Sequence, residues 1–329
     1  GKLFGRPNSL RIGFDIDAQR DDRRRFANEF GERGDMTTNQ SENVTGYGLF
    51  LQDELSLHER FRLTFGIRYD FLQYEVDDKI ESNSASRTFA QPSPMVGLVW
   101  ALAPVANVYG NVSTSFEPPT TTELANPFGP TGFNPLLDPQ TATNYEIGLK
   151  GILPARMRYE AAVFHIRVED EFVPFELSGS GQTFFENAGK SQRTGLETSL
   201  LFFPVDGLKM SLSYTYSSFT FTEFTDINDN VFDGNHLPGV PDNILFARIN
   251  YLHALGLYVD WDLQYAGGFY ANSANTVSIE PYSLSNLAVG YIGSYGNWEI
   301  SLFAGIRNLF DQQYNDNVRL NASFGRYYE

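Results

Sequence analysis

The segment YEIGLKGILPARMRYEAAVFHIRVEDEF, from Tyr145 to Phe172, decides the fold class of this chain. Two extended runs flank a short turn at 151–156, and in each run apolar side chains alternate with polar ones. Alternation with a period of two predicts a β-hairpin with one apolar and one polar face. In the first run the two faces carry Tyr145, Ile147 and Leu149 against Glu146, Gly148 and Lys150.

Similar hairpins fill almost the whole chain of 329 residues, and no helical periodicity separates them. Short connections alternate with long segments rich in Gly, Pro, Asn and Asp. The sequence therefore predicts an antiparallel meander of about 13 long strands. The short connections are 57–60, 101–107, 150–156, 203–207, 252–256 and 293–297, and the long ones are 21–43, 77–93, 117–141, 172–182, 223–242, 268–280 and 310–325.

A regular order of short turns and long loops is typical of outer-membrane β-barrels, whose strands have at least about 10 residues. Lipid offers the backbone no hydrogen bonds, so such a sheet has to close on itself. The run FRLTFGIRYDF at 61–71 fits this environment. Its apolar face would meet lipid, and it carries Phe61, Leu63, Phe65, Ile67, Tyr69 and Phe71. Its other face would meet a hydrated interior, and it carries Arg62, Thr64, Gly66, Arg68 and Asp70.

Composition excludes several classes of protein. The formal net charge of −16 argues against a nucleic-acid partner, because phosphates require a basic surface. The chain has no cysteine, which excludes disulfides, zinc–thiolate sites and thiol catalysis. No run approaches the roughly 18 apolar residues of a transmembrane helix.

Five segments, in order along the chain, resemble the C-terminal barrel of TonB-dependent outer-membrane receptors of the siderophore-receptor type. They are LFLQDELSL with LTFGIRYD near 49–70, SFEPPTTTEL, LLDPQTATNYEIGLKG, FFENAGKSQRTGLE and GIRNLFDQQY. The residues that carry the last four matches are Phe116, Pro119, Glu123, Leu124, Pro139, Gln140, Tyr145, Glu146, Gly148, Lys150, Gly151, Asn187, Gly189, Gly195, Glu197, Asn308, Leu309, Phe310, Asp311 and Tyr314.

The resemblance implies a 22-stranded barrel, of which residues 1–329 would be a single partial transmembrane domain. The strands would be numbers 9 to 21 plus the start of strand 22, without the plug domain or the N-terminal TonB box. It also implies an active-transport receptor in the bacterial outer membrane. Its partners would be outer-membrane lipid, a TonB complex acting through the N-terminal region, and a scarce small-molecule ligand such as a ferric siderophore or another iron complex.

Catalytic and cofactor motifs are missing from the sequence, so neither an enzyme nor a cofactor is expected. There is no Gly-x-Ser-x-Gly elbow and no phosphate-binding glycine loop. The histidines at 58, 165, 236 and 253 have no metal-ligand spacing. Asp226, Asp229 and Asp233 are a calcium candidate by ligand type, but Val231 stands where an EF-hand loop needs Gly, and no Glu follows at the twelfth position.

The long loops hold the candidate ligand contacts, because aromatic and cationic side chains can stack on a ligand or donate hydrogen bonds to it. Packing of loop against loop explains each of these residues equally well. The candidates are Phe128, Phe133, Tyr270, Arg319, Phe324 and Arg326.

Three other interpretations remain open from the sequence. One is a complete passive channel of 14 strands, since 13 strands and a stub approach an even number. Another is an outer-membrane enzyme, which would need a nucleophile or an acid pair at the rim. The third is a soluble β-sandwich that binds a partner, which would not need detergent.

Overall fold

The structure is a computed structural model that describes residues 1–3, 5–80, 83–129, 132–154, 156–176, 183–226, 228–316 and 327–328. Within these ranges the chain forms seventeen β-strands and no helix, so no helix long and apolar enough to cross a membrane is found there. The strands are β1 Lys2–Leu3, β2 Arg6–Glu29, β3 Glu32–His58, β4 Phe61–Asp78, β5 Asn83–Ala103, β6 Ala106–Glu117, β7 Gln140–Leu153, β8 Met157–Glu176, β9 Thr183–Phe202, β10 Leu208–Phe224, β11 Asn243–Leu252, β12 Leu257–Ala266, β13 Phe269–Tyr270, β14 Ser278–Ile279, β15 Tyr282–Tyr295, β16 Trp298–Arg307 and β17 Tyr327–Tyr328.

Fifteen of these strands form one antiparallel sheet in which sequence neighbours pair, and β12 pairs with β15 across the small β13–β14 hairpin. The thirteen strands of ten residues or more confirm the predicted meander. Over the described residues, no ladder joins the two ends of the sheet, so it has two edges, at the two-residue strands β1 and β17. We call the end with short connections the turn end and the opposite end the loop end.

The cross-strand register places apolar side chains together on one face, the outer face. Phe61 of β4 lies opposite Trp100 of β5, and their rings stack at 5.8 Å. Phe65 is opposite Val96, and both are exposed. The other face, the inner face, carries Arg62, Thr64 and Arg68. The alternation predicted for 61–71 is therefore present in the structure.

Several segments predicted to be long loops are strand extensions instead. The segment 21–43 belongs to β2 and β3, which meet in a two-residue turn at Phe30 and Gly31. Both turn residues have positive φ, as such hairpins require. Most of 77–93 lies in β4 and β5, and β8 continues to Glu176. These extensions are polar because both faces lie beyond the apolar belt, so their composition resembles that of loops.

Two prolines end the pairing of β5 with β6. The β5–β6 ladder begins at Met95, whereas β5 continues toward the loop end paired only with β4. Pro92 and Pro94 precede that point, and a proline has no backbone N–H to continue the ladder. The chain between β6 and β7, residues 118–139, leaves the sheet beside this unpaired stretch.

Candidate functional site

Residues 118–139, which we call the inner loop, pack onto the inner face near the loop end. Leu124 and Leu137 of this loop are fully buried against Tyr74 and Val76 of β4. The Phe133 ring meets the Tyr74 ring edge-on at 6.4 Å, and Tyr74 meets Phe89 of β5 in the same way at 5.6 Å. Apolar burial and edge-to-face packing therefore hold the inner loop against the sheet.

Polar contacts fix the far end of the inner loop to three strands. The Arg87 guanidinium of β5 donates to the Asn134 carbonyl and lies 3.1 Å from the Asp138 carboxylate. The Asn187 side chain of β9 accepts from the Asp138 N–H at 2.7 Å and donates to the carbonyls of Asp138 and Asp170. These contacts tie β5, β8 and β9 together through the loop.

A cavity of about 440 Å³ lies between the inner loop and the loop-end extensions of β2 and β3. Two arginines of β2, Arg23 and Arg25, and two phenylalanines of the inner loop, Phe128 and Phe133, are among the residues that line it. Such a space combines cationic donors with aromatic faces. The lining residues are Arg23, Arg25, Thr38, Gln40, Val76, Thr121, Leu124, Ala125, Asn126, Pro127, Phe128, Gly129, Gly132, Phe133 and Phe184.

Arg23 connects the sheet to the loop at the edge of this cavity. Its Nη2 donates to Thr122 Oγ1 at 2.7 Å, and its Nε lies 3.1 Å from Glu42 Oε1. Glu42 is almost completely buried, and its second oxygen has no hydrogen-bond partner. Glu42 does not line the cavity, so its contribution is to hold the Arg23 side chain at the cavity edge.

The profile of the family described as TonB dependent receptor-like, beta-barrel, matches residues 1–309. The chain belongs to this family. The sequence resemblance is thereby confirmed, as is the all-β fold of a barrel that lies in the bacterial outer membrane.

Curated relatives and solved structures agree with this membership. The receptor barrel is 26% identical over 276 residues to a ferrioxamine receptor of Yersinia enterocolitica, covering 81% of this chain and 36% of the relative. It is 27% identical over 292 residues to an iron-regulated outer membrane virulence protein of Vibrio cholerae, covering 82% and 41%. Among structures, the ferric citrate transporter FecA aligns with a TM-score of 0.80 at 18% identity, over 100% of this chain and 51% of that chain. The chain spans about two fifths of the length of the curated relatives.

The family-signature glycines of the receptor barrel leave room for aromatic rings laid across the inner face. A Cβ on Gly148 would lie 2.4 Å from the Tyr109 ring, and the Lys150 ammonium stands 4.9 Å from the centre of that ring. A Cβ on Gly195 would meet the Phe164 ring at 2.4 Å. The neighbouring signature residues Tyr145, Glu146 and Glu197 lie in the same strands, β7 and β9, and Gly189 also lies in β9.

The last signature of the receptor barrel forms a compact turn after β16. The Asn308 side chain donates to the Gln312 carbonyl and accepts from the Gln312 N–H at 2.9 Å. The Leu309 N–H donates to the Ser285 carbonyl of β15, and Tyr314 packs on Tyr282 at 4.8 Å. Asp311 has a positive φ, and the Phe310 side chain is exposed. The signature that contains Phe116 also forms a local turn. The Glu123 carboxylate accepts a hydrogen bond from the Thr120 N–H, and the neighbouring Pro119 is buried.

The predicted ligand residues fall in different places. Phe128 is 68% exposed at the mouth of the cavity, whereas Phe133 is buried beneath it. Tyr270 belongs to β13 and packs on His236 at 5.8 Å, in another group of loops. Arg319, Phe324 and Arg326 lie outside the described residues.

The calcium candidate is engaged in local hydrogen bonds. Asp226 accepts from the backbone and side chain of Asn230 and from the Asn228 N–H, and these bonds lower the pKa of its carboxyl. Asp233 accepts from the Phe224 N–H, and Asp229 has positive φ. Within the described part of the chain, no three acidic, His or Cys side chains group as metal ligands do.

Sequence reasoning missed Arg23, Arg25 and Gln40 as lining residues, and Glu42 as the partner of Arg23, because it assigned 21–43 to a loop. A signal was nonetheless present. The run RDDRRRF at 20–26 concentrates arginines in an otherwise acidic chain.

Proposed function

We propose that this chain is the barrel wall and ligand-facing rim of a receptor that takes up an iron complex across the outer membrane. The whole protein would be driven by a TonB complex acting through a part that lies outside this chain. Residues 1–329 would be a single partial barrel domain, about strands 9 to 21 of 22 plus the start of the last, and the plug would be a separate domain.

The cavity beneath the inner loop carries this proposal. Ferric chelates of the siderophore type commonly present oxygen-rich, partly anionic surfaces, which fit arginine donors and aromatic faces. Arg25 has no ion pair with a carboxylate among the described residues, so it is available to such a ligand. Phe128 lies exposed at the mouth. The site would bind and orient its ligand, and no covalent step is proposed.

A passive channel is the second candidate, since it would use the same wall. The relatives, among them a ferrioxamine B receptor of Salmonella typhimurium, favour an uptake receptor. The structural neighbours are also transporters and receptors, including the ferric yersiniabactin uptake receptor of Yersinia pestis, which aligns with a TM-score of 0.75.

The first experiment measures ligand binding. The full-length receptor that contains this chain is titrated with ferrioxamine B and with ferric citrate, following quenching of intrinsic fluorescence. Arg25→Gln should weaken binding of the preferred complex about tenfold, through loss of a charged hydrogen bond. Arg24→Gln is the matched control, because Arg24 lies on the outer face of the same strand.

The second experiment measures transport. Cells that depend on this receptor should accumulate radioactive iron from the bound complex only when TonB is present. Equal accumulation without TonB, together with ion conductance of the purified protein, would overturn the proposal in favour of the channel.

A further inference from the structure

A groove on the outer face stands apart from the ligand cavity. It has a volume of about 530 Å³ and crosses strands β5 to β8. Gly110 of β6 lies at its centre, between Leu98 of β5 and Ile147 of β7, and its missing side chain gives the groove depth. The other outer-face residues that line it are Val96, Val112, Tyr145, Val163 and His165.

An arginine and a histidine mark the margin of the groove toward the loop end. Arg167 Nε donates to His165 Nε2 at 3.4 Å, and the other ring nitrogen of His165 lies 2.8 Å from Thr194 Oγ1. Because Nε2 accepts, Nδ1 carries the proton and donates to Thr194. Arg167 is exposed, and within the described ranges it makes no ion pair with a carboxylate.

The height of this pair along the strand matches a membrane boundary. β8 begins at Met157 at the turn end, and Arg167 lies ten positions farther along the strand, with its side chain on the same face as Met157. A strand tilted in a bilayer crosses the hydrocarbon in about 9–11 residues. A hydrocarbon layer that begins at Met157 would therefore end near Arg167, with the apolar groove inside it.

We infer that this groove binds a phosphate-bearing membrane lipid, with one acyl chain along Gly110 and the phosphate on Arg167. The guanidinium fork matches two phosphate oxygens, and His165 holds its Nε side in place. The groove is shallow and open to the membrane, and its lining is almost wholly apolar. Glu169 lies two residues farther from the groove, so a phosphate at the mouth meets Arg167 first.

Native mass spectrometry of the full-length receptor in detergent micelles tests this site. Three probes are used: the phospholipid dioleoyl phosphatidylglycerol, the phosphate-free lipid dioleoylglycerol, and inorganic phosphate. Wild-type protein should retain the phospholipid in preference to dioleoylglycerol, and inorganic phosphate should not displace it, because the acyl chain contributes most of the contact.

Two variants divide the site into its parts. Arg167→Gln should lower phospholipid retention about tenfold, toward the level of dioleoylglycerol. Gly110→Leu should lower retention of both lipids by filling the groove, and the sheet accommodates it, since a Cβ there has only an ordinary contact at 3.5 Å. Arg158→Gln is the control with the same charge change on the inner face of the same strand, and it should retain lipid as wild type does.

The contrary results are equally definite. Unchanged retention in Arg167→Gln, an equal loss in Arg158→Gln, or full displacement by inorganic phosphate would overturn the inference. Heat-modifiable migration of every variant on unheated gels verifies that each barrel has folded. Glu169→Gln provides an independent check, because removing a nearby negative charge should preserve or raise phospholipid retention, and a loss would count against the site.

Discussion

The Arg68 guanidinium of β4 reaches across β3 to the Asp15 carboxylate of β2, with 2.7 Å between Nη1 and Oδ2. Gly48 of β3 lies between them, opposite Asp15 on one side and Asp70 on the other. A Cβ on Gly48 would lie 2.0 Å from the guanidinium. The absence of one side chain therefore lets an inner-face ion pair join three strands, and Asp70 completes it at 2.8 Å.

Gly48→Val should break this bridge, because the new side chain occupies the path of Arg68. The pair is partly exposed, so the free energy of unfolding should fall by only about 1 kcal/mol. Gly46→Ala on the same face is the control, since its Cβ would have only contacts near 3.9 Å. Denaturant unfolding in micelles measures both variants. In an Arg68→Gln background the added cost of Gly48→Val should disappear, and its persistence would show that the glycine acts in another way.

The two faces of β4 should report different solvents. Spin labels on single cysteines are straightforward here because the chain has no cysteine of its own. Labels at Phe61, Phe65 and Tyr69 should collide with oxygen dissolved in lipid, and labels at Arg62, Thr64 and Arg68 with an aqueous reagent. Equal access at both sets would contradict a lipid-facing outer surface.

A charge on the outer face should be costly near the middle of a strand. Leu263→Arg in β12 and Ile147→Arg in β7 should each lower the free energy of unfolding by about 2–4 kcal/mol in the complete barrel. Gln264→Arg, one residue along β12 on the inner face, should cost much less. Folding titrations into bilayers compare the three variants. An unchanged free energy of unfolding in Leu263→Arg would mean that Leu263 does not face the lipid.

Phe133 and Phe128 should separate stability from binding. Phe133→Ala removes a buried ring from the cluster around Tyr74, so the local packing energy should fall by about 3–5 kcal/mol. Limited proteolysis should then cut the inner loop. Phe128→Ala should leave the loop protected, because that ring is exposed, and should weaken only ligand binding. Equal proteolysis of the two variants would contradict the packing described for the inner loop.

Prediction from sequence succeeded where one physical rule dominates. The alternation at 61–71 follows directly from an apolar solvent on one side and a wet interior on the other, and the β4 register reproduces it. It failed for 21–43, because a strand that extends beyond the membrane has water on both faces and needs no apolar residues. It also could not distinguish Phe128 from Phe133. Which aromatic ring a loop buries depends on the partner surface of Tyr74 and Phe89, and this is a tertiary contact.

The order of the strands has a consequence for how such a wall assembles. Every ladder of the large sheet in the described residues joins strands that follow one another, apart from the step over the small β13–β14 hairpin. Each hairpin can thus form with a short loop closure, at a low entropic cost. Closing the sheet at its two ends, β1 and β17, would be different in kind, because the strands that pair there are not neighbours in sequence. The slow step in building the complete cylinder should therefore be this final seam, while the wall itself grows by local additions.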